Sequence, residues 1–462
     1  MTRGVPGDQV RPGLVLHEGG GWLVWQDAAV DGDGLGIAAT RLAPGAGAVS
    51  GASIKVNSVT AGDQENPAIA RVGDRGLFVA WQGGTQGFQR IYGRILKADG
   101  SFATAEFPIS SGRGEHQIDA AVAGLADGTV VVVWSSYRQD ESYSYDVYAR
   151  RYTSTGEAIG EEYRVNASTG MNRRSAAVTG LAGGGYLVGW IAEKQAGVRT
   201  TSANGAGIRL AGGGAPIYEV AFVTRSFDGQ GQPVGLEQKI SDLDAIASNP
   251  EFATTPSGQV LAAWTRRDPA NADNGLDIAS RLLSSGGVPE GDVQILNPSL
   301  YGDQFRPRLS TTRHGVLAVW SSMGQDGSWE GVYGRWVDAE GKPSGDEIPI
   351  NGQTGGGQLL PTVASDNAAN LLVAWSSNLP RIGYELFAQR FAPLLLQVES
   401  AGDGRLRLRW PTVTGGVYQV QASQDGRSWG NVGGTKTAFA DSDSVELSVS
   451  GQVVLYRVLR AR

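Results

Sequence analysis

The sequence predicts an all-β protein, a seven-bladed β-propeller followed by a small β-sandwich, and three observations carry that reading. A short apolar run closing on tryptophan, typified by Gly76-Leu-Phe-Val-Ala-Trp81, returns seven times, at Trp25, Trp81, Trp134, Trp190, Trp264, Trp320 and Trp375. Successive tryptophans lie 53–56 residues apart, except for 74 between Trp190 and Trp264. Such self-similarity sets the architecture before any other signal. The chain also holds 68 Gly among 462 residues with only 18% charged, a composition of tight turns between short strands.

Each repeat has four pieces. An entry strand is introduced by Asp-Gln-x-x-Pro in Asp8-Gln9-Val-Arg-Pro12, Asp63-Gln64-Glu-Asn-Pro67 and Asp303-Gln304-Phe-Arg-Pro307, and more weakly in Gln358-Leu-Leu-Pro361. Repeat three keeps Gln117 with Ala120 at the proline position, repeat five keeps Pro250, and repeat four (Arg174-Ser-Ala-Ala-Val178) lacks the motif. Proline to tryptophan is 13 or 14 residues wherever the proline exists. Proline suits the start of a strand, where no ladder donor is needed. The Trp-ended strand follows. A third strand then alternates large apolar with small or basic residues, as in Val147-Tyr-Ala-Arg-Arg-Tyr152 and Val332-Tyr-Gly-Arg-Trp-Val337, the period-two pattern of a half-buried strand. An outer strand such as Glu162-Tyr-Arg-Val-Asn166 completes the unit. Four antiparallel strands repeated seven times make propeller blades, and a closed ring hides the sheet edges.

Two departures matter. Repeat four carries an insert near Ala196–Pro216, and repeat seven has no outer strand of its own, so a three-stranded last blade is expected. The period ends near residue 392, which sets domains at 1–392 and 393–462. In the second, strands such as Arg405-Leu-Arg-Leu-Arg-Trp410 and Val417-Tyr-Gln-Val-Gln-Ala422 suit a small sandwich.

Residues 8 to about 392 resemble repeats of large secreted and cell-surface bacterial proteins, through Gln-x-x-Pro, the Trp-ended strand, and Val147-Tyr-Ala-Arg-Arg-Tyr152 with Glu162-Tyr-Arg-Val-Asn166. Trp410, Tyr418 and Tyr456-Arg-Val458 look like a fibronectin type III-type module. The resemblance implies an extracellular or cell-surface location and transfers no catalytic residue.

A net charge of −7 without a Lys/Arg cluster argues against a nucleic-acid partner. No apolar run reaches the roughly 20 residues of a membrane span, so membrane insertion is not expected. The N-terminal stretch has no signal-peptide h-region. With no cysteine, thiolate zinc sites, thiol nucleophiles and disulfides are excluded.

The tryptophans read as core. Arg94, Arg150, Arg225, Arg281 and Arg335 share one strand position and read as structural arginines, solvated or paired with Asp. The loops after the tryptophans share a face with those carrying Gln9, Gln64, Gln117, Gln304 and Gln358, and variable loops on a rigid scaffold are where binding resides. Two of these loops, Ser135–Tyr145 and Ser321–Trp329, offer Tyr137, Asp140, Tyr143, Tyr145, Asp326 and Trp329 for stacking and hydrogen bonding to a carbohydrate or a surface protein. Asp31-Gly-Asp33 and Asp273–Asp277 allow Ca2+ but read first as turns, so no cofactor is expected. His17, His116 and His314 occupy three different repeat positions. The sialidase-type turn is approached only with wrong spacing at Ser423–Trp429 and Ser322–Trp329, and no repeat shows a distinctive acid. The leading expectation is a non-catalytic binding or adhesion module. The alternatives are a structural subunit of a bacterial surface assembly and a polysaccharide-active hydrolase.

Overall fold

The computed structural model describes the chain except residues 1–5, 45–48, 74–75, 138, 140–143, 200–214, 242–243, 245, 269–274, 314, 367–369, 392–395, 413–414, 425–427, 441, 449–453 and 461–462. Among the described residues every regular element is a strand. Two compact units emerge, Met1–Phe391 and Ala392–Arg462.

The first unit holds seven antiparallel sheets, each with its strands in chain order. Sheet 1 runs Gln9–His17, Gly20–Asp27, Gly36–Leu42 and Ile54–Lys55. Sheets 2 to 6 repeat it with four strands, whereas sheet 7 has three, Gln358–Ser365, Leu371–Leu379 and Gly383–Phe391. The second strands, which carry the repeat tryptophans and run at least two residues past them, are buried along both faces. This explains why they read as continuous apolar runs rather than alternating ones.

Each sheet packs on the next. One cluster joins Trp22 and Val24 of sheet 1 to Leu77 and Trp81 of sheet 2, and the series continues through sheet 7. A last cluster joins Ala364, Leu372, Ala374 and Leu386 of sheet 7 to Leu14, Leu16, Leu23 and Trp25 of sheet 1. The same hydrogen bond marks the seam. Asp63 Oδ1 accepts from Leu35 N at 3.1 Å and Asp303 Oδ1 from Leu276 N at 2.8 Å, each reaching back one sheet. Asp8 Oδ1 accepts from Tyr384 N of sheet 7 at 2.9 Å. Side-chain packing thus joins sheet 7, with its three strands among the described residues, to sheet 1. This arrangement of repeated sheets fits a β-propeller.

The five repeated arginines are clips between sheets. Nη1 of Arg94, Arg225, Arg281 and Arg335 donates to the carbonyls of Val56, Val165, Ile240 and Leu296 in the preceding sheet, at 2.7–3.1 Å. Arg150 reaches Ile109 O at 3.5 Å. Nε of Arg281 and Arg335 meanwhile holds Gly291 O and Gly345 O of its own outer hairpin. The structural reading of these residues is right, but the partners are backbone carbonyls, not aspartates. Two charged hydrogen bonds from one planar group make Arg281→Ala cost about 1.5–3 kcal/mol, and Arg281→Lys, which lacks the fork, should recover little of it. Urea unfolding checks this; wild-type stability in the alanine variant would show the clip contributes nothing.

In sheet 4 the insert lengthens the central hairpin to Tyr186–Arg199 and Ala215–Phe227. The second unit has two sheets. One is Gln397–Gly402, Arg405–Pro411 and Ser442–Ser448; the other centres on Val417–Ser423. They share a core of Leu408, Trp410, Tyr418, Val420 and Val458. Gln397–Gly402 pairs within this unit and lends no strand to sheet 7.

Candidate functional site

The inner strands converge on a cavity of about 540 Å³, lined by all seven sheets. What shapes it is a bulge. Every inner strand slips register two to four residues after its start, for instance between Val10 and Gly13 and between Glu65 and Ala68. At each slip one non-glycine residue takes a left-handed backbone, with φ of 51–58° for Arg11, Asn66, Asp119, Ser175, Asn249, Arg306 and Leu360. Such residues are uncommon outside glycine. Here the preceding sheet supports several of them: Gln26 Oε1 accepts from Asn66 N, Gln82 Oε1 from Asp119 N, and Thr265 Oγ1 from Arg306 N, at 3.0–3.3 Å. Since the bend recurs seven times, it belongs to the fold. The chemistry lies in which side chain occupies it.

The lining carries two carboxyl groups, Asp119 and Glu251, and three guanidinium groups, Arg11, Arg306 and Arg308. Asn66, Asn249, Ser175 and Thr362 complete its polar part. Burial holds Asp119 above the ordinary carboxylate range, although Arg11, Arg174, Arg306 and His116 oppose the effect. Glu251 is likewise raised by burial, opposed by Arg308, whose Nη1 meets Glu251 Oε2 at 2.5 Å. Burial also depresses Arg11, and burial with repulsion from Arg11 and Arg308 pulls Arg306 down to about 10. Two acids raised by burial and two arginines lowered by it line one cavity, a pattern that marks candidate functional sites.

The sequence did not single out Asp119 or Glu251, yet each is distinctive in its repeat. Asp119 stands where other repeats have Arg11, Asn66, Ser175, Asn249, Arg306 or Leu360, and Glu251 where others have Gly13, Ala68, Ala121, Ala177, Arg308 or Thr362. The expectation that no repeat carries a distinctive acid is corrected.

Gln9, Gln64, Gln117, Gln304 and Gln358 are almost wholly buried. Gln64 Oε1, Gln304 Oε1 and Gln358 Oε1 accept from Asn57, Asn297 and Asn351 Nδ2 at 2.9–3.0 Å. Gln117 Oε1 accepts from Ser110 Oγ at 2.7 Å, and Gln9 Nε2 donates to Gly7 O at 2.6 Å. Their reading as ligand contacts is corrected, because the inner-strand starts are covered by adjoining loops and the amides bond there, although Gln9 Oε1 is left buried without a partner. The inner-strand starts and the ends of the Trp strands do share one end of each sheet, as Gln304 opposite Ser322 shows.

Tyr137 and Tyr145 pack ring to ring at 5.1 Å, and Tyr145 Oη meets His116 Nδ1 at 2.7 Å. Asp140 and Tyr143 lie outside the described residues. Asp326 is used within its loop, where Oδ1 accepts from Ser328 N at 3.0 Å. Trp329 is 69% exposed and Tyr301, on the loop entering the same sheet, 73%. Asp31 accepts from Asn57 Nδ2 and Asp33 N, as turn chemistry requires. Among the described residues no three His, Asp or Glu side chains are grouped to hold a metal. His314 and Asp273 lie outside them.

No protein-family model and no curated protein matches the chain. Among solved structures, a protein of unknown function from Dyadobacter fermentans aligns at 13% identity and a TM-score of 0.48, covering 71% of this chain and 93% of its own. The α-L-arabinanase of Penicillium chrysogenum, complexed with arabinobiose, aligns at 14% and 0.47 over 71% and 93%. An ulvan lyase aligns at 12% and 0.48 over 84% and 93%. The similar structures are mostly enzymes. With two carboxyl groups in the axial cavity and the glutamines closed off, the expectation of a non-catalytic binding or adhesion module is corrected in favour of its hydrolase alternative.

Proposed function

We propose that the first unit is a closed seven-bladed β-propeller that hydrolyses a polysaccharide in its axial cavity. The second unit is a fibronectin type III-like sandwich in this reading. The observation that carries it is the pairing of Asp119 and Glu251 in one enclosure. Glycosidic hydrolysis needs two carboxyl groups with different duties. Asp119 has no hydrogen-bonding partner for its side chain among the described residues, and burial raises its hold on a proton, so in this reading it donates to the leaving glycosidic oxygen. Arg308 holds Glu251 and favours its ionised form against the larger upward pull of burial, and in this reading that carboxylate takes the proton of the attacking water. Water adds at the sugar carbon as the C–O bond breaks. A polymer substrate places the protein outside the cell, in keeping with the secreted repeats its sequence resembles.

The experiment is incubation with a panel of polysaccharides and assay for new reducing ends. Release by the wild type, lost in Glu251→Gln, supports the reading; no release from any polymer sinks it. Trp329 and Tyr301 supply flat, exposed rings on the loop face, suited to stacking on outlying sugars. Trp329→Ala should leave stability within about 0.5 kcal/mol while raising KM for long chains. A drop in melting temperature would make the ring structural.

A further inference from the structure

We propose that the axial cavity selects an anionic sugar, with Arg11 and Arg306 gripping a carboxylate or sulfate on the ring; this rests on the cavity being the glycan site. The chain as a whole carries a net charge of −7, yet its axial lining has three guanidinium groups against two carboxyl groups. Arg308 is committed to Glu251. The guanidinium groups of Arg11 and Arg306 have no hydrogen-bond acceptor among the described residues. Both take the left-handed position of an inner strand, on the two sheets that flank sheet 7, and the charge of Arg11 helps to depress Arg306. Asp119 acts electrostatically on both members of the pair, and Glu65 on Arg11. A neutral sugar would leave this positive charge uncompensated, whereas planar guanidinium forks match the oxygens of a carboxylate or sulfate. Asn66 adds a buried Oδ1 without a partner on the same lining, placed for a sugar hydroxyl, which can donate to it.

The acid couples to the anion. Ionised Asp119 competes for the arginines; protonated, it releases them. The groups facing this centre are Arg11 on sheet 1, Glu65 on sheet 2, His116 and Asp119 on sheet 3, Arg174 on sheet 4, Glu251 on sheet 5, and Arg306 and Arg308 on sheet 6. Sheet 7 contributes the uncharged Leu360 and Thr362. Glu251 and Arg308 compensate each other, as do Arg174 and Glu193; Glu65 acts on Arg11 alone and His116 on Asp119, so Asp119, which acts on both arginines, is the group whose proton most changes the charge seen by the pair. Anion binding therefore tightens as pH falls and Asp119 takes up its proton.

Titration calorimetry on the full chain tests this with three probes of equal length: a galacturonate oligomer, a sulfated galactose oligomer and a neutral galactose oligomer. We expect one anionic probe to bind at least about tenfold tighter than the neutral one. The better of the two anions identifies carboxylate or sulfate as the natural group. Arg11→Ala and Arg306→Ala should each lose roughly 10- to 100-fold for that anion and leave the neutral probe unchanged. Arg306→Lys, which keeps the charge and perturbs packing least, should fall between. Asp119→Asn should tighten the anion and flatten its pH dependence. Equal binding of neutral and anionic probes, or no loss in the arginine variants, overturns the proposal. The two readings fail separately. Arginine-dependent anion binding without release of product from any polymer removes the hydrolase and keeps the anion site, and hydrolysis confined to neutral polymers does the reverse.

Discussion

Asp119→Asn is expected to lower kcat by about 10²–10⁴-fold, the usual worth of a positioned general acid. The carboxamide keeps the shape and the backbone, so Gln82 still accepts from the residue 119 amide, but no proton is left to give. Stability should move the other way. Burial lifts the folded-state pKa of Asp119 above its unfolded value, so the folded chain binds the proton more tightly. That contribution is present at low pH and is lost as pH rises from the unfolded value through the raised one. Above the raised pKa the wild type carries a disfavoured charge that asparagine removes. The variant should melt at the wild-type temperature or above it while losing activity. Activity of the wild type should fall with rising pH as Asp119 ionises. An inactive variant that also melts early would reassign Asp119 to the framework.

Arg173→Met should destabilise the protein by about 3–5 kcal/mol, because it strands a buried charge. Arg173 occupies the place that glutamine holds in five other repeats, and its side chain and that of Asp146 are 1% and 2% exposed. Nη1 reaches Asp146 Oδ1 at 3.0 Å and Met171 O at 2.9 Å, and Nη2 reaches Ser168 Oγ at 2.9 Å. Removing the guanidinium takes the positive charge away from Asp146, and the neutral amide of Asn166, whose Nδ2 donates to the same oxygen at 2.8 Å, cannot replace it. The seam between sheets 5 and 6 shows the alternative. There Asn297 Nδ2 donates to both Asp277 Oδ1 and Gln304 Oε1, at 2.9 and 3.0 Å, with glutamine in the position of Arg173. Arg173→Gln should therefore cost less than half as much as Arg173→Met. Equal losses in urea unfolding would show that charge compensation is not what the position supplies.

The fold was largely legible, and the site was not. Trp25 to Trp375 stand out because strands buried on both faces are apolar throughout, and a repeated apolar run survives in the primary sequence. The three-stranded last sheet was visible in the missing outer strand after Phe391. The arginine clips were half legible: one repeated strand position signals structure, but a backbone carbonyl leaves no mark in a sequence. The glutamines were misread because an amide at a strand start reads as surface, and only the packed ring reveals it as covered. Asp119 and Glu251 escaped for a different reason. They sit on either side of the bulge, where the extra residue shifts the alternation, so period-two reasoning cannot say which side chains face the axis. A signal existed nonetheless, in the unlike residues just before and just after the proline position of a motif that is otherwise regular.

The most direct test of the axial cavity as the catalytic site is a crystal structure of Asp119→Asn soaked with an oligosaccharide released by the wild type. A sugar ring is expected in the cavity, its glycosidic oxygen against the carboxamide that replaces the Asp119 carboxyl and its anionic group on Arg11 and Arg306. A sugar bound only at Trp329 and Tyr301, or on the outer strands with the cavity empty, would contradict it.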